Sequence, residues 1–543
     1  MPTAYDGYKV DIDLYAGCSV VATEQTCNRR AFLYNILHTV PQARWDLGYI
    51  LIYKYIRIFL YNPCDTAQSI QVHTSGDEGI NIIDGETGLS LIAPFSLPAG
   101  YTQEIIFEVT LEGPTQIDAV FDFFVAGEQP VQFRITGIRA PVIIGTTATL
   151  LSPHNWITPL KEKLSWKTDV LVASDRTEQR MSLRVLPRRE YDIELLEFND
   201  YRETVETQLA ARKVEYFLIP TWHDINTLTQ PVSTGTTIIN VDFDPGELDF
   251  FQEGYVVLFK DKDTYDVRRV FGWTINSITV TFPIDNDYGV GDYIAPCRYY
   301  KIMKPVKEDK PTDSASVFRF TAHSINENFR RQYYLFESYN NAYIFPLMDN
   351  INYKDVGVDI THKWTILDNN TNIVPLVVKD AEEPLYKRKV KVQCWTRELT
   401  NKMLQFLFTI KGRWKPFWVA NPSTSLELTS TTIQGDIVLY VKNINYFISL
   451  DGCHSRSHIR IIYKDGTIEH RRVSDSFVNP LAPAVEELTI DSPLPVDTGP
   501  HNVAAIQWLE YVRMDSDEIV LNWIADGKFE TEFDIVTLPY MET

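Results

Sequence analysis

A faint internal repeat constrains this chain more than any other feature: landmarks of its middle part return in order about two hundred residues later. Trp166 recurs as Trp364, and Phe217 in FLIPTW (217–222) recurs as Phe417 in FWVANP (417–422). Arg268-Arg269-Val270 recurs as Arg471-Arg472-Val473, and Asp313-Ser314 with Val317 recurs as Asp515-Ser516 with Ile519. The offset drifts by only a few residues, as small loop insertions cause. A duplicated module with no obvious catalytic cluster in either copy is suited to building rings and arrays.

At 543 residues the chain is too long for one core, and about three or four domains of ~100–200 residues are expected. The 13% aromatic content favours strands, because flat rings pack well on a pleated surface. A net charge of −21 argues against duplex DNA as a tightly held ligand, since phosphate contacts need Lys and Arg. It suits a soluble assembly component, or a channel wall past which a polyanion slides. The six cysteines are scattered, with no CxxC pair, so a disulfide-stapled secreted scaffold is not expected; Cys18 and Cys27 are spaced for a local pair. MPTAYDGYKVDIDLY has neither a basic nor an apolar signal region, and the apolar stretch 47–61 is cut by Lys54 and Arg57. A soluble protein assembled in a cytoplasm is the expectation.

Residues 1–150 read as short strands separated by turn clusters such as SGDEG, DGETG and LPAG, the pattern of an immunoglobulin-like β-sandwich. The first repeat spans 151–335 and the second 336–543. In the first, a helix of about a dozen residues follows Asn199 or Asp200, with Glu203 completing a capping box and Tyr201, Val205 and Leu209 forming one stripe. In the second, 396–412 is the helix, with Leu399, Met403, Phe406, Leu407 and Ile410 on its apolar side. Strand–helix–strand followed by a β-rich subdomain thus occurs twice, giving a mainly β chain with few helices. KPVKEDKPTDSAS (304–316) reads as a tether or an inserted loop.

No nucleophile elbow, phosphate-cradling Gly-rich loop, HExxH helix or EF-hand spacing occurs, and neither catalytic residues nor a cofactor are implied. Cys453-His454 with His458 and His470 is the best metal candidate, but ordinary strand and turn roles are favoured and no metal is expected. Asp242, Asp244, Glu247 and Asp249, and Asp261, Asp263 and Asp266, crowd two loops where solvated turns are the commoner reason. Phe417-Trp418, with Trp414 and Trp222, suits a carbohydrate platform less well than core packing. Arg180, Arg184, Arg188 and Arg189 cluster in an otherwise acidic chain; they read equally as a solvated strand face or as the candidate subunit interface, where Arg forks would meet carboxylates of a neighbour.

The stretch SWKTDVLVASDRTEQRMSLRVLPRREYDIEL (165–195), the helix after it and FLIPTWHD (217–224) resemble tail proteins of long-tailed bacteriophages. The W-x-T-D-V strand, the E-Q-R turn, P-R-R and the aromatic-Pro-x-W strand carry that resemblance. GRWKPFWVAN and VRMDSDEIVLNW (512–523) extend it into the second repeat, which lacks E-Q-R and P-R-R. The resemblance implies a distal tail or baseplate hub protein of the tail tip with the tail-tube fold: β modules, each with one flanking helix, ringing a DNA channel.

Its partners would be copies of itself, the tail tube protein and other tail-tip or fibre proteins. DNA would only pass through the lumen, with no membrane insertion. The chain would reside in the virion after assembly in the host cytoplasm. A trimer presenting six quasi-equivalent modules is favoured over a hexamer. The alternative reading is a carbohydrate-binding or carbohydrate-active receptor-engaging virion protein, and a third is a cell-surface adhesin.

Overall fold

Period-two alternation outweighs helical periodicity along the chain, and the structure is mainly β with few helices. The computed structural model describes residues 37–539 apart from 39–43, 51–53, 63–65, 86, 111–112, 126–129, 140–146, 174–175, 212–215, 251–253, 326–333, 353–356, 363, 368–375, 380–383, 422–425 and 450–455. Cys18, Cys27 and Cys453-His454 lie outside the described residues. Two compact units result. One holds the described residues up to 155 and from 193 to 333, the other those from 156 to 192 and from 334 onward.

Residues 37–139 form two sheets around one core. The first carries, in spatial order, Leu37–His38, Lys54–Tyr61, Thr102–Val109 and Ile80–Asp84. The second carries Arg44–Ile50, Val131–Arg139, Gln116–Val125, Gln68–Ser75 and Phe95–Leu97. In Gln116–Val125, Ile117, Ala119, Phe121 and Phe123 are buried and alternate with more exposed residues, because successive strand side chains point to opposite faces. Phe107 of the first sheet meets Phe121 and Phe133 of the second at ring-centroid distances of 4.5 and 5.0 Å. The two inner faces therefore interdigitate as a β-sandwich.

From Thr147 the same order of elements occurs twice. A short strand (Thr147–Thr149; Ala342–Ile344) pairs parallel with the strand after the helix (Tyr216–Pro220; Phe417–Ala420), setting Ala148 opposite Phe217 and Tyr343 opposite Phe417. A leading strand (Leu160–Ser165; Val358–Thr361) pairs antiparallel with the long strand before the helix (Arg188–Phe198; Leu385–Cys394). Between them stands a hairpin, Thr168–Val172 with Glu178–Ser182 in the first module and Trp364–Leu367 with Leu376–Lys379 in the second. Each module ends in a closing hairpin, Lys307–Thr312 with Ala315–Ser324 and Glu518–Ala525 with Lys528–Thr537. The segment expected as a tether or inserted loop is thus largely a strand.

The β subdomains match residue by residue. Val256, Leu258, Val270, Ile278, Val280 and Ile294 are buried in one. Ile459, Ile461, Val473, Leu488, Ile490 and Ile506 take the same register positions in the other. Arg268 Nε donates to the Pro283 carbonyl at 2.7 Å, and Arg471 Nη2 to the Pro493 carbonyl at 3.2 Å. The Arg-Arg-Val and Phe217/Phe417 landmarks therefore mark equivalent positions. The other two do not. Trp166 precedes its hairpin by two residues whereas Trp364 opens its own. Asp313-Ser314 forms the turn of the first closing hairpin, where the second has Asp526-Gly527, and Asp515-Ser516 lies ahead of the second.

Helix α1 is Asn199–Ala210 and α2 is Arg397–Ile410. The capping box expected for α1 does not form: the N-cap is Phe198, ahead of Asn199 and Asp200, and it makes no side-chain cap hydrogen bond. Of its stripe only Val205 is fully buried, and Tyr201 and Leu209 are half-buried. In α2, Thr396 caps the Leu399 N–H at 3.3 Å, and Met403, Phe406, Leu407 and Ile410 are buried. Phe406 packs edge-on against Phe345 and Phe417, with centroids 5.3 and 5.2 Å away.

Candidate functional site: the junction built by residues 156–192

The leading strand Leu160–Ser165 is central, not an edge. On one side it pairs with Arg188–Asp192 of the long strand, and on the other with Glu518–Trp523 of the second module's closing hairpin. Leu164 lies opposite Ile519 and Glu162 opposite Leu521, and all four are buried. Part of the first module is thus built into the second unit by strand pairing, which satisfies both backbone edges of Leu160–Ser165.

Polar side chains lock this junction. Glu162 is 2% exposed, and a buried carboxylate is costly unless partnered. Its partners are the Tyr191 hydroxyl at 2.7 Å, the Trp523 indole N–H at 2.9 Å and the Arg189 guanidinium at 3.7 Å. Asp517 accepts from the Thr168 N–H at 2.6 Å, the Thr168 hydroxyl at 2.9 Å and the Arg413 N–H at 2.9 Å. Gly412 is required beside it: its φ is +68°, and a Cβ there would stand 2.6 Å from Asp517 Oδ1, a left-handed backbone position that favours glycine. Glu178 and Arg513 form a two-pronged pair at 2.7 and 2.7 Å, the strong fork geometry.

These contacts account for three of the four candidate arginines. Arg189 is 3% exposed, beside Glu162 and 5.4 Å from the Phe408 ring centroid. Arg184 donates to the Ser165 carbonyl at 2.7 Å. Arg180 lies against Glu178 and Tyr511, and burial draws its pKa down against those two favourable partners. Arg188 is the one of the four that is exposed. Arg180, Arg184 and Arg189 therefore have partners within the chain's own junction. The residues that sequence reasoning missed are their counterparts, Glu162, Asp517, Arg513 and Trp523. The last three fall in VRMDSDEIVLNW, the segment whose resemblance was the available signal.

The remaining candidates have structural roles. Asp249 forks onto Arg298 at 2.6 and 2.7 Å with both side chains buried. Asp244 caps a short 3-10 turn by accepting from Gly246, and Asp266 accepts from the Tyr288 hydroxyl at 3.0 Å. Trp222 and Trp418 are buried and offer no open stacking face. His458 Nδ1 lies 3.0 Å from the Tyr339 hydroxyl and His470 Nδ1 lies 3.3 Å from Glu337. Among the described residues no group of three or more His, Cys, Asp or Glu side chains could hold a metal ion.

No protein-family profile matches the chain, and no curated protein does. Among solved structures it is similar to the secreted serine protease VesC from Vibrio cholerae. That match has 8% identity and a TM-score of 0.15, and covers 56% of this chain and 54% of the protease. The chain thus spans about half the length of that protein, and so low a score carries no argument about fold or function.

Proposed function

We propose that this chain is a structural component of the distal tail or baseplate hub of a long-tailed bacteriophage, forming a ring around the DNA channel and linking tail tube to tail-tip or fibre proteins. The observation that carries the reading is the junction: one β module completes another by strand pairing, and the residues that lock it are Glu178 and Arg180 of E-Q-R, Arg189 of P-R-R, and Arg513 and Asp517 of VRMDSDE. The motifs behind the resemblance thus do the work of joining modules, not of chemistry. The absence of E-Q-R and P-R-R from the second module fits a chain whose two modules meet different neighbours. The net charge of −21 suits a lumen past which DNA slides without being held. We infer a non-enzymatic role in the virion, after assembly in the host cytoplasm, with three chains supplying six modules. Negative-stain images of the purified chain should show rings with a central opening. Compact single particles at every concentration would contradict it.

A further inference from the structure

The junction inside the chain has a second, unmade version. Superimposing the pairing registers makes Glu162–Ser165 equivalent to 358–361, because Ser165 opposes Arg188 as Thr361 opposes Leu385, and Glu162 opposes Tyr191 as Val358 opposes Arg388. In the closing hairpins, Glu308 opposes Phe318 as Leu521 opposes Thr531, and Thr312 opposes Ala315 as Ala525 opposes Lys528. In the first module's leading strand and the second module's closing hairpin, these edges pair with each other. As strands, the second module's leading strand pairs with Leu385–Arg388 alone, its Thr361 carbonyl also accepting from Arg176 at 3.1 Å, and Lys307–Thr312 pairs with its hairpin partner alone, among the described residues.

Exposure marks the difference. Leu164, inside the made junction, is 0% exposed, whereas its equivalent Ile360 is 57% exposed and Val358 47%. Apolar residues on an unpaired strand edge are a template for another strand.

We infer that the edge Val358–Thr361 of one chain pairs antiparallel with the edge around 305–309 of a second copy, in the register of the internal junction. That register places Val358 opposite Glu308, Asp359 opposite Lys307, and Ile360 opposite Val306. Asp359 and Lys307 are both exposed in the single chain and of opposite charge, as directly opposed cross-strand residues prefer. The two edges differ, so the contact is head-to-tail and propagates round a ring. The inference rests on the ring reading and names the surface that makes it.

Full-length Asp359→Cys and Lys307→Cys chains, mixed and oxidised, should yield a disulfide-linked pair of chains that neither gives alone. Asp359→Lys should weaken association by about two- to fivefold, the scale of one cross-strand charge pair, and Lys307→Glu in the same chain should restore it. A native multimer that forms without the mixed cross-link overturns the edge pairing and leaves the ring reading standing. A chain that stays monomeric throughout overturns both.

Discussion

Arg298 and Asp249 are buried together, 0% and 3% exposed at the side chain, joined by two hydrogen bonds. Truncating one partner of such a pair strands a charge in a medium that cannot solvate it. Arg298→Ala should therefore cost about 3–5 kcal/mol in folding stability, measured by denaturant unfolding. A loss near the level of an exposed ion pair would mean that water reaches Asp249. His470 makes a pH-dependent claim. Burial, with the charges of Arg460 and Arg471, pushes its pKa down from 6.5 to about 4, despite Glu337 beside it. The unfolded chain then binds the proton first, so stability falls as pH drops through about 6.5 and the loss is complete below about 4. The drop in Tm between those values should be shallower in His470→Asn than in the native chain, and equal slopes would contradict the assignment.

At the scale of elements, α2 is the better anchored helix. Met403, Phe406, Leu407 and Ile410 are each 0% exposed, whereas α1 buries Val205 alone. Leu407→Ala should cost about 2–5 kcal/mol as a large-to-small core change, and a neutral result by thermal unfolding would place that face outside the core. The two helices were legible because period-3.6 stripes and cap residues are local signals. The sandwich strands were legible for the same reason, through alternation and turn residues. The capping box at Asp200 does not form because Phe198 is the N-cap and Asp200 already lies inside the first turn. The junction was not legible: Glu162 and Trp523, or Glu178 and Arg513, are more than three hundred residues apart, and no local pattern reports such a pairing. Of the arginine cluster, Arg180 and Arg189 meet carboxylates of the same chain, Glu178 and Glu162.

For the whole molecule, duplication is the organising fact. Two modules share element order, register and buried positions, and one pair of their edges is closed within the chain while the equivalent pair is not joined among the described residues. The sequence repeat pointed there through Phe217/Phe417 and Arg-Arg-Val, while the Asp-Ser landmark was a coincidence of turn composition. Copy number tests the central claim most directly. Native mass measurement of the isolated assembly should give three chains of 62.6 kDa each, six modules in one ring. Six chains would contradict the three-chain ring, and a single chain at high concentration would contradict assembly altogether.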